Sequence, residues 1–391
     1  MATEVLSRRN GNIMGVCMLL GLFLPHISTT LLLVNPLMCV FLYLMFRKPG
    51  KSKKFILPTL LVSTCIIISV IISLGTGIHR SNKFLLTAID ILMLFILFPF
   101  AEDSKIPNRY YYFAIGFILF SQVIYLFDLR FIQNLFETLY PVSESDEGIF
   151  NYMRENISVA GIFKFRLGGL YRNPNQAARF ITLITTVYLI DNKDKSIKKV
   201  LLFTSVCFLS VIMTGSRTGL VVFILLVAYF IYSTPQLSRN QKYPLLFIGV
   251  VALLPFFVIE VEDLRAFQVE QGLSNSANLK WLVFADYLSQ QNSFAHLAFG
   301  YADPDTFIPT TYTLMTKFDS EYGNMIYAYG ILGSLAFFYF YYVCFKQSGK
   351  FERIYFILLL WIVSSTILFS YRMSFLFLFL MSHILKEKVN A

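Results

Sequence analysis

Long apolar runs separated by short polar links set the pattern of this chain. They lie at about 12–25, 28–46, 55–75, 84–101, 110–127, 176–190, 200–214, 218–233, 243–259, 322–345, 354–370 and 373–385. Most are long enough, or nearly so, to cross the roughly 30 Å hydrocarbon core of a bilayer as helices. Inside lipid a backbone must satisfy its own hydrogen bonds, which favours helices over open strands. The pattern predicts an all-α polytopic membrane protein of about twelve transmembrane helices, with residues 1–391 forming one membrane domain. Several runs fall short of about 20 residues, so tilted or partly re-entrant helices are expected among them.

Two polar stretches break the rhythm, at 128–175 and 260–321. Both are too long to be turns, and long loops on a rigid scaffold are where binding and chemistry concentrate. No repeat, low-complexity tract or separate soluble domain is visible. The inverted-repeat symmetry of many transporters is not evident.

Composition agrees with lipid as the main solvent. Hydrophobic residues make up 56% of the chain and charged residues 14%, against about 25% charged in soluble domains. The 41 Phe and 23 Tyr suit lipid-facing surfaces and interfacial belts. A net charge of +10 would suggest nucleic acid in a soluble protein. Here the basic residues fall in short links between apolar runs, where they set topology, and no nucleic-acid partner is expected.

Alternate links are basic: Arg47, Lys48, Lys51, Lys53 and Lys54; Lys105 and Arg109; Lys193, Lys195, Lys198 and Lys199; Arg239 and Lys242; Lys346, Lys350 and Arg353. Arg8, Arg9, Lys386 and Lys388 share their side. The positive-inside rule then puts both termini in the cytoplasm and both long loops outside. Arg8 and Arg9 before an apolar run resemble a signal peptide, but no small-x-small cleavage site follows, and a retained first helix is expected. Cys17, Cys39, Cys65, Cys207 and Cys344 lie in apolar runs without a CxxC pair, and His26, His79, His296 and His383 have no metal-like spacing. Neither a disulfide framework nor a metal site is implied, and no cofactor is expected.

Three clusters carry candidate chemistry. The first closes the first long loop with Arg166, Gly168, Gly169, Tyr171, Arg172, Asn173, Pro174 and Asn175, and Arg179 follows one turn into the next helix. Asn173 and Pro174 also suit a plain N-cap and first turn. Three guanidiniums beside a helix N-terminus, against the positive-inside trend, suit a phosphate or pyrophosphate. The second is the tight corner Thr214-Gly215-Ser216-Arg217-Thr218-Gly219. Gly215 can end one helix and Ser216 cap the next. Arg217 then either anchors the interface by snorkelling or offers a rigidly placed cation to a lipid-linked anion.

The third cluster closes the second long loop with Asp319, Ser320 and Glu321, followed by Gly330 and Gly333. Asp319 is either an N-cap or a carboxylate able to take a proton from an attacking sugar hydroxyl. The two glycines are expected to lie on one face of a continuous helix and to let it pack closely. Asp90, inside a membrane helix, is a further candidate, with pairing to an arginine as the plain alternative. Trp281 suits either sugar stacking or interfacial anchoring, and Gly300-Tyr301 reads as a turn.

In this order the clusters resemble the bacterial O-antigen ligase and Wzy-type polysaccharide polymerase superfamily. The resemblance covers about Arg166 to Gly333. Arg166, Gly169, Tyr171, Asn173, Pro174, Asn175 and Ala177 match the first signature. Ser216 and Arg217 match the Ser-Arg corner, and Ser320, Gly330 and Gly333 keep the frame of the third. Asp319 stands where the ligases have a histidine, which turns the resemblance toward the polymerase branch. Lys280 before Trp281, or else Arg265, would fill the family's mid-loop basic position, although a lysine grips a pyrophosphate less rigidly than an arginine.

The resemblance implies a GT-C-like membrane glycosyltransferase in a bacterial cytoplasmic membrane. Its substrates would be undecaprenyl-pyrophosphate-linked oligosaccharides, joined by inverting transfer without a metal. Arg166, Arg172, Arg179, Arg217, Arg265 and Lys280 would hold the pyrophosphate, and Asp319 or Glu321 would act with Arg217 in catalysis. A chain-length regulator and a flippase would be its partners. Two alternatives stay open: ligation of a finished glycan to another acceptor, and non-enzymatic flipping or export of a lipid-linked glycan.

Overall fold

The computed structural model describes residues 2–23, 53–77, 83–98, 105–139, 167–171, 174–245, 247, 285, 293–302, 321–362, 376–378, 381 and 385. No strand occurs among them. The apolar runs fold as α1 (Ala2–Phe23), α2 (Ile56–Thr76), α3 (Lys83–Leu97), α4 (Asn108–Leu126), α6 (Pro174–Asp191), α7 (Ile197–Thr214), α8 (Arg217–Ser233), α10 (Glu321–Gln347) and α11 (Lys350–Ile362). The polar stretches contribute α5 (Arg130–Leu139) and α9 (Phe294–Phe299). Ile56–Thr76, Ile197–Thr214 and Met325–Gln347 are long and apolar enough to cross a membrane, and Gly11–Phe23 and Gly219–Ser233 are shorter apolar helices. The architecture is that of a helical membrane protein.

Many of its largest side chains face outward, as a lipid solvent allows. Leu57, Leu60, Ile67 and Ile71 on α2, Phe113 and Phe120 on α4, and Leu202 and Leu209 on α7 are exposed. The opposite faces build one continuous core. In it α2 packs along α10 and α3, α6 lies against α7 and α8, and α4 joins α1, α6 and α7. Edge-to-face rings of Phe95 with Phe337 and Phe340, at 5.4 and 5.1 Å, lock α3 to α10.

The described basic links gather at one end. Lys54 Nζ donates to Gln347 Oε1 at 3.3 Å, Lys195 Nζ donates to Asn108 Oδ1 at 3.2 Å, and Lys193 pairs with Glu352 at 3.7 Å. Beneath them the buried Asp191 carboxylate accepts from Tyr111 Oη at 2.8 Å and from the Ile106 amide at 3.3 Å. The spacing of basic loops along the sequence is thus a spatial segregation, with α4 and α7 starting at this end and α6 and α8 starting at the other.

Two readings change. Residues 128–175 include α5, a short amphipathic helix that buries Gln133 and Phe136 and exposes Phe131, Leu135 and Leu139. And α10 is not one continuous helix: Gly330 has φ 65° and ψ −172°, which breaks it.

Candidate functional site

The corner between α7 and α8 is built by local chemistry. Gly215 caps α7 with φ 59°, a left-handed conformation that suits glycine. Its amide donates to the Ile212 carbonyl at 2.9 Å, and the Ser216 amide donates to Thr214 Oγ1 at 3.2 Å. Ser216 Oγ accepts from the Gly219 amide at 3.3 Å, an N-cap that makes Arg217 the first residue of α8. Of Arg217 only the backbone is described.

Beside this corner starts α6, with Pro174 as its first residue, the position where a missing N–H costs nothing. A methyl group added to Gly219 would lie 2.6 Å from Ala178 Cβ. The N-terminal parts of α6 and α8 therefore touch, running parallel, and point two positive dipole ends the same way. Asn175 is exposed and Arg179 half-buried at this junction.

The chain ahead of α6 is pinned from both sides. The Leu167 amide donates to the Met213 carbonyl at 2.9 Å, and the Leu170 amide donates to Ser121 Oγ at 3.1 Å. The buried Gln122 amide group ties the two together: Nε2 donates to the carbonyls of Leu167 and Ser210 at 3.1 and 3.0 Å, while Oε1 accepts from Ser210 Oγ at 2.6 Å. Gly169, at φ 57°, lets this strap lie directly on Ser121 and Gln122. Tyr171 Oη donates to the Leu22 carbonyl at 3.2 Å. The segment between Arg166 and Arg172 is thus held rigidly at the start of α6. Those two arginines lie outside the described residues, with Asn173, Arg265, Lys280 and Asp319.

The third cluster forms a different contact. At the end opposite the basic links, residues 293–302 reach down beside α2, where Ser69 Oγ donates to the Phe299 carbonyl. Ser69 lies seven residues before the end of α2 at Thr76, so the contact is about 10 Å below that end. There Gly300 and Gly330 press the two backbones together. A Cβ on Gly300 would strike Ala328 and Tyr329, and one on Gly330 would strike Ala298 and Phe299.

The amides of Tyr301 and Ala302 donate to the carbonyls of Tyr327 and Ala328 at 3.0 and 2.7 Å, acceptors that the break in α10 releases. Membrane proteins tolerate broken helices where such groups are satisfied again. This corrects two expectations. Gly330 serves backbone insertion rather than helix-on-helix packing within a continuous helix, and Gly300-Tyr301, read as a turn, pairs instead with the backbone of α10. Gly333 stays in the packed face, where an added Cβ would lie 2.5 Å from Tyr329 Cβ and 3.6 Å from Cys65 Cβ. Glu321 begins α10, with its backbone alone described.

The inserted segment also carries a histidine to which the sequence assigned no role. His296 is 6% exposed, stacks on Tyr301 at 4.2 Å, and its Nε2 has no hydrogen-bond partner among the described residues. Burial lowers its pKa below the usual 6.5. Tyr301 in turn stacks on Tyr327 at 5.1 Å. The only trace of this arrangement in the sequence is a glycine flanked by bulky residues, twice: Phe299-Gly300-Tyr301 and Tyr329-Gly330-Ile331.

Comparison with protein-family models, with characterised proteins and with solved structures returned no match.

Proposed function

We propose that this protein polymerises polyprenyl-pyrophosphate-linked oligosaccharide repeat units at the outer surface of a bacterial cytoplasmic membrane. The supporting observation is the contact of Gly219 with Ala178. It joins two parallel helix N-termini at the end away from the basic links, with Arg217 opening one helix and the Arg172-Asn173-Pro174 sequence leading into the other. Two helix N-termini, with arginines in the sequence that opens or leads into them, suit a diphosphate whose charge grows as it leaves.

In this reading the carrier diphosphate is gripped by Arg217 with Arg166, Arg172 and Arg179, and by Arg265 or Lys280 from the second loop. A terminal hydroxyl of one lipid-linked repeat attacks the anomeric carbon of the growing chain. The new C–O bond forms as the bond to the diphosphate breaks on the opposite face, inverting the centre. The hydroxyl proton passes to Asp319 or Glu321, and the bonding pair leaves with the diphosphate. Pyrophosphate departs readily, so placement of two large substrates is the main task. About twelve spans, a GT-C-like fold, cytoplasmic termini, and a flippase and chain-length regulator as partners belong to the same proposal.

The test is Arg217→Ala. Single lipid-linked repeats are expected to accumulate at normal protein level, and purified protein in proteoliposomes with defined lipid-linked repeats is expected to lose elongation. Wild-type polymer length in the variant would overturn the reading. Long chains retained on the carrier in a deletion strain would point to ligation, and transport without elongation by the purified protein would point to a flippase.

A further inference from the structure

A crevice of about 380 Å³ opens on the membrane-facing side between α4 and α7, lined by Tyr112, Ile115, Gly116, Lys199, Leu202, Phe203 and Val206. Its volume is in the range of small-molecule sites, about 300–1,000 Å³. From Lys199 to Val206 is seven residues of α7, so the crevice runs about 10 Å along the helix, from the basic end into the apolar band. Its depth owes much to Gly116: a Cβ there would meet nothing within 4 Å. Leu202 and Tyr112 at its rim are 70% and 46% exposed. The slot is apolar along its length and cationic at one end.

The cationic end is under-compensated. Lys198 and Lys199 are exposed and make no ion pair among the described residues. Lys195, close by, donates to the uncharged Asn108 amide, whose Nδ2 lies 3.4 Å from Tyr112 Oη. The acidic groups of this link are Asp191, engaged with Tyr111 and Ile106, and exposed Asp194. Two lysines in the first turn of α7 also oppose the helix dipole. A bound anion offsets both costs, and an apolar tail fills the slot below it.

We propose that this crevice holds one anionic phospholipid, its phosphate at Lys199 and its acyl chain laid over Gly116 between Ile115, Leu202, Phe203 and Val206. This lipid is a structural ligand at the basic end, separate from the diphosphate at the α6–α8 junction, and the inference does not depend on the proposed activity. Charge complementarity selects the headgroup, and the apolar slot selects a lipid over a free phosphate.

The full-length protein, purified in detergent, would be titrated with phosphatidylglycerol and with phosphatidylcholine of the same acyl composition, and retained lipid counted by native mass spectrometry. Phosphatidylglycerol is expected to be retained preferentially by the wild type. Lys199→Ala should lower that preference about fivefold, the equivalent of about 1 kcal/mol for one basic residue near a membrane surface. Gly116→Phe should fill the slot and remove one bound lipid, while Ile67→Phe on the lipid face of α2 should change nothing. A melting curve confirms folding of each variant, and Lys199→Ala, at an exposed position, keeps the test decisive if Gly116→Phe does not fold. Equal retention of the two lipids by the wild type, or undiminished preference in Lys199→Ala, would overturn the proposal.

Discussion

Gly219 and Ala178 are the point where the first turns of α8 and α6 meet, with room for no more than a hydrogen on the glycine: an added methyl would lie 2.6 Å from the alanine Cβ. A side chain at residue 219 must therefore push the two N-termini apart. If the protein elongates polymer as proposed, Gly219→Val is expected to reduce that elongation at least tenfold while the protein still reaches the membrane. Gly75→Ala, where an added methyl touches nothing within 4 Å, serves as the control. Normal elongation in Gly219→Val would show that the junction's geometry is irrelevant to activity. A misplacement of about 1 Å can cost about a hundredfold when positioning dominates catalysis, so the effect is read in product length rather than in stability alone.

In a buried setting Gln122 ties the strap ahead of α6 to α7, with one hydrogen bond to the Leu167 carbonyl and two to Ser210. Gln122→Leu keeps the volume but strands the Leu167 and Ser210 carbonyls, at about 1–3 kcal/mol for each buried group left unpaired. The variant should melt several degrees lower in detergent, and under the proposed activity elongation should fall, because the flanks of the strap carry Arg166 and Arg172. An unchanged melting temperature would mean that water replaces the amide at no cost.

Gly300 and Gly330 answer to one contact. Alanine at either position is forced into a backbone region that is essentially glycine-only, at about 1–3 kcal/mol, and its methyl collides with backbone across the crossing. Each single variant should open the segment 293–302 to proteolysis. Because both disrupt the same crossing, the double variant should be less destabilised than the sum of the two. Strict additivity would argue that the two glycines act independently.

His296 predicts a pH response. Its folded pKa is lowered by burial, so the unfolded chain binds a proton more readily than the folded one. The stability this histidine contributes is complete above the unfolded value of about 6.5. It is lost as pH falls through the lower folded pKa. The melting temperature of the wild type should drop on acidification below about pH 6.5, and His296→Gln should flatten that part of the profile. An identical profile in the variant would remove His296 as the cause.

Caps and apolar runs were legible because their physics is local. Gly215 and Ser216 end one helix and begin the next through bonds within four residues, and Pro174 starts α6 as its fixed φ dictates. Helix α5 was hidden because Phe131, Leu135 and Phe136 recur at helical spacing inside a stretch too short and too mixed to span lipid. Gly330 was misread for a different reason. A glycine in an apolar run looks the same whether it permits close packing or breaks the helix, and its φ of 65° is set by residues 298–302, which arrive from another part of the chain. The α6–α8 junction lies between these cases: each helix start was visible, but their contact was not.

The repair of α10 also imposes an order on biogenesis. Ser69 and the Phe299 carbonyl it holds are 230 positions apart, and the carbonyls that receive Tyr301 and Ala302 belong to residues synthesised later still. Until then the Ser69 hydroxyl has the Cys65 carbonyl of its own helix as acceptor, at 2.8 Å, and residues 293–302 cannot seat until α10 has entered and bent. The inserted segment is thus the latch that closes after the hydrophobic frame is in place, and a ribosome-stalled chain ending before Tyr327 would hold every helix up to α8 yet lack it.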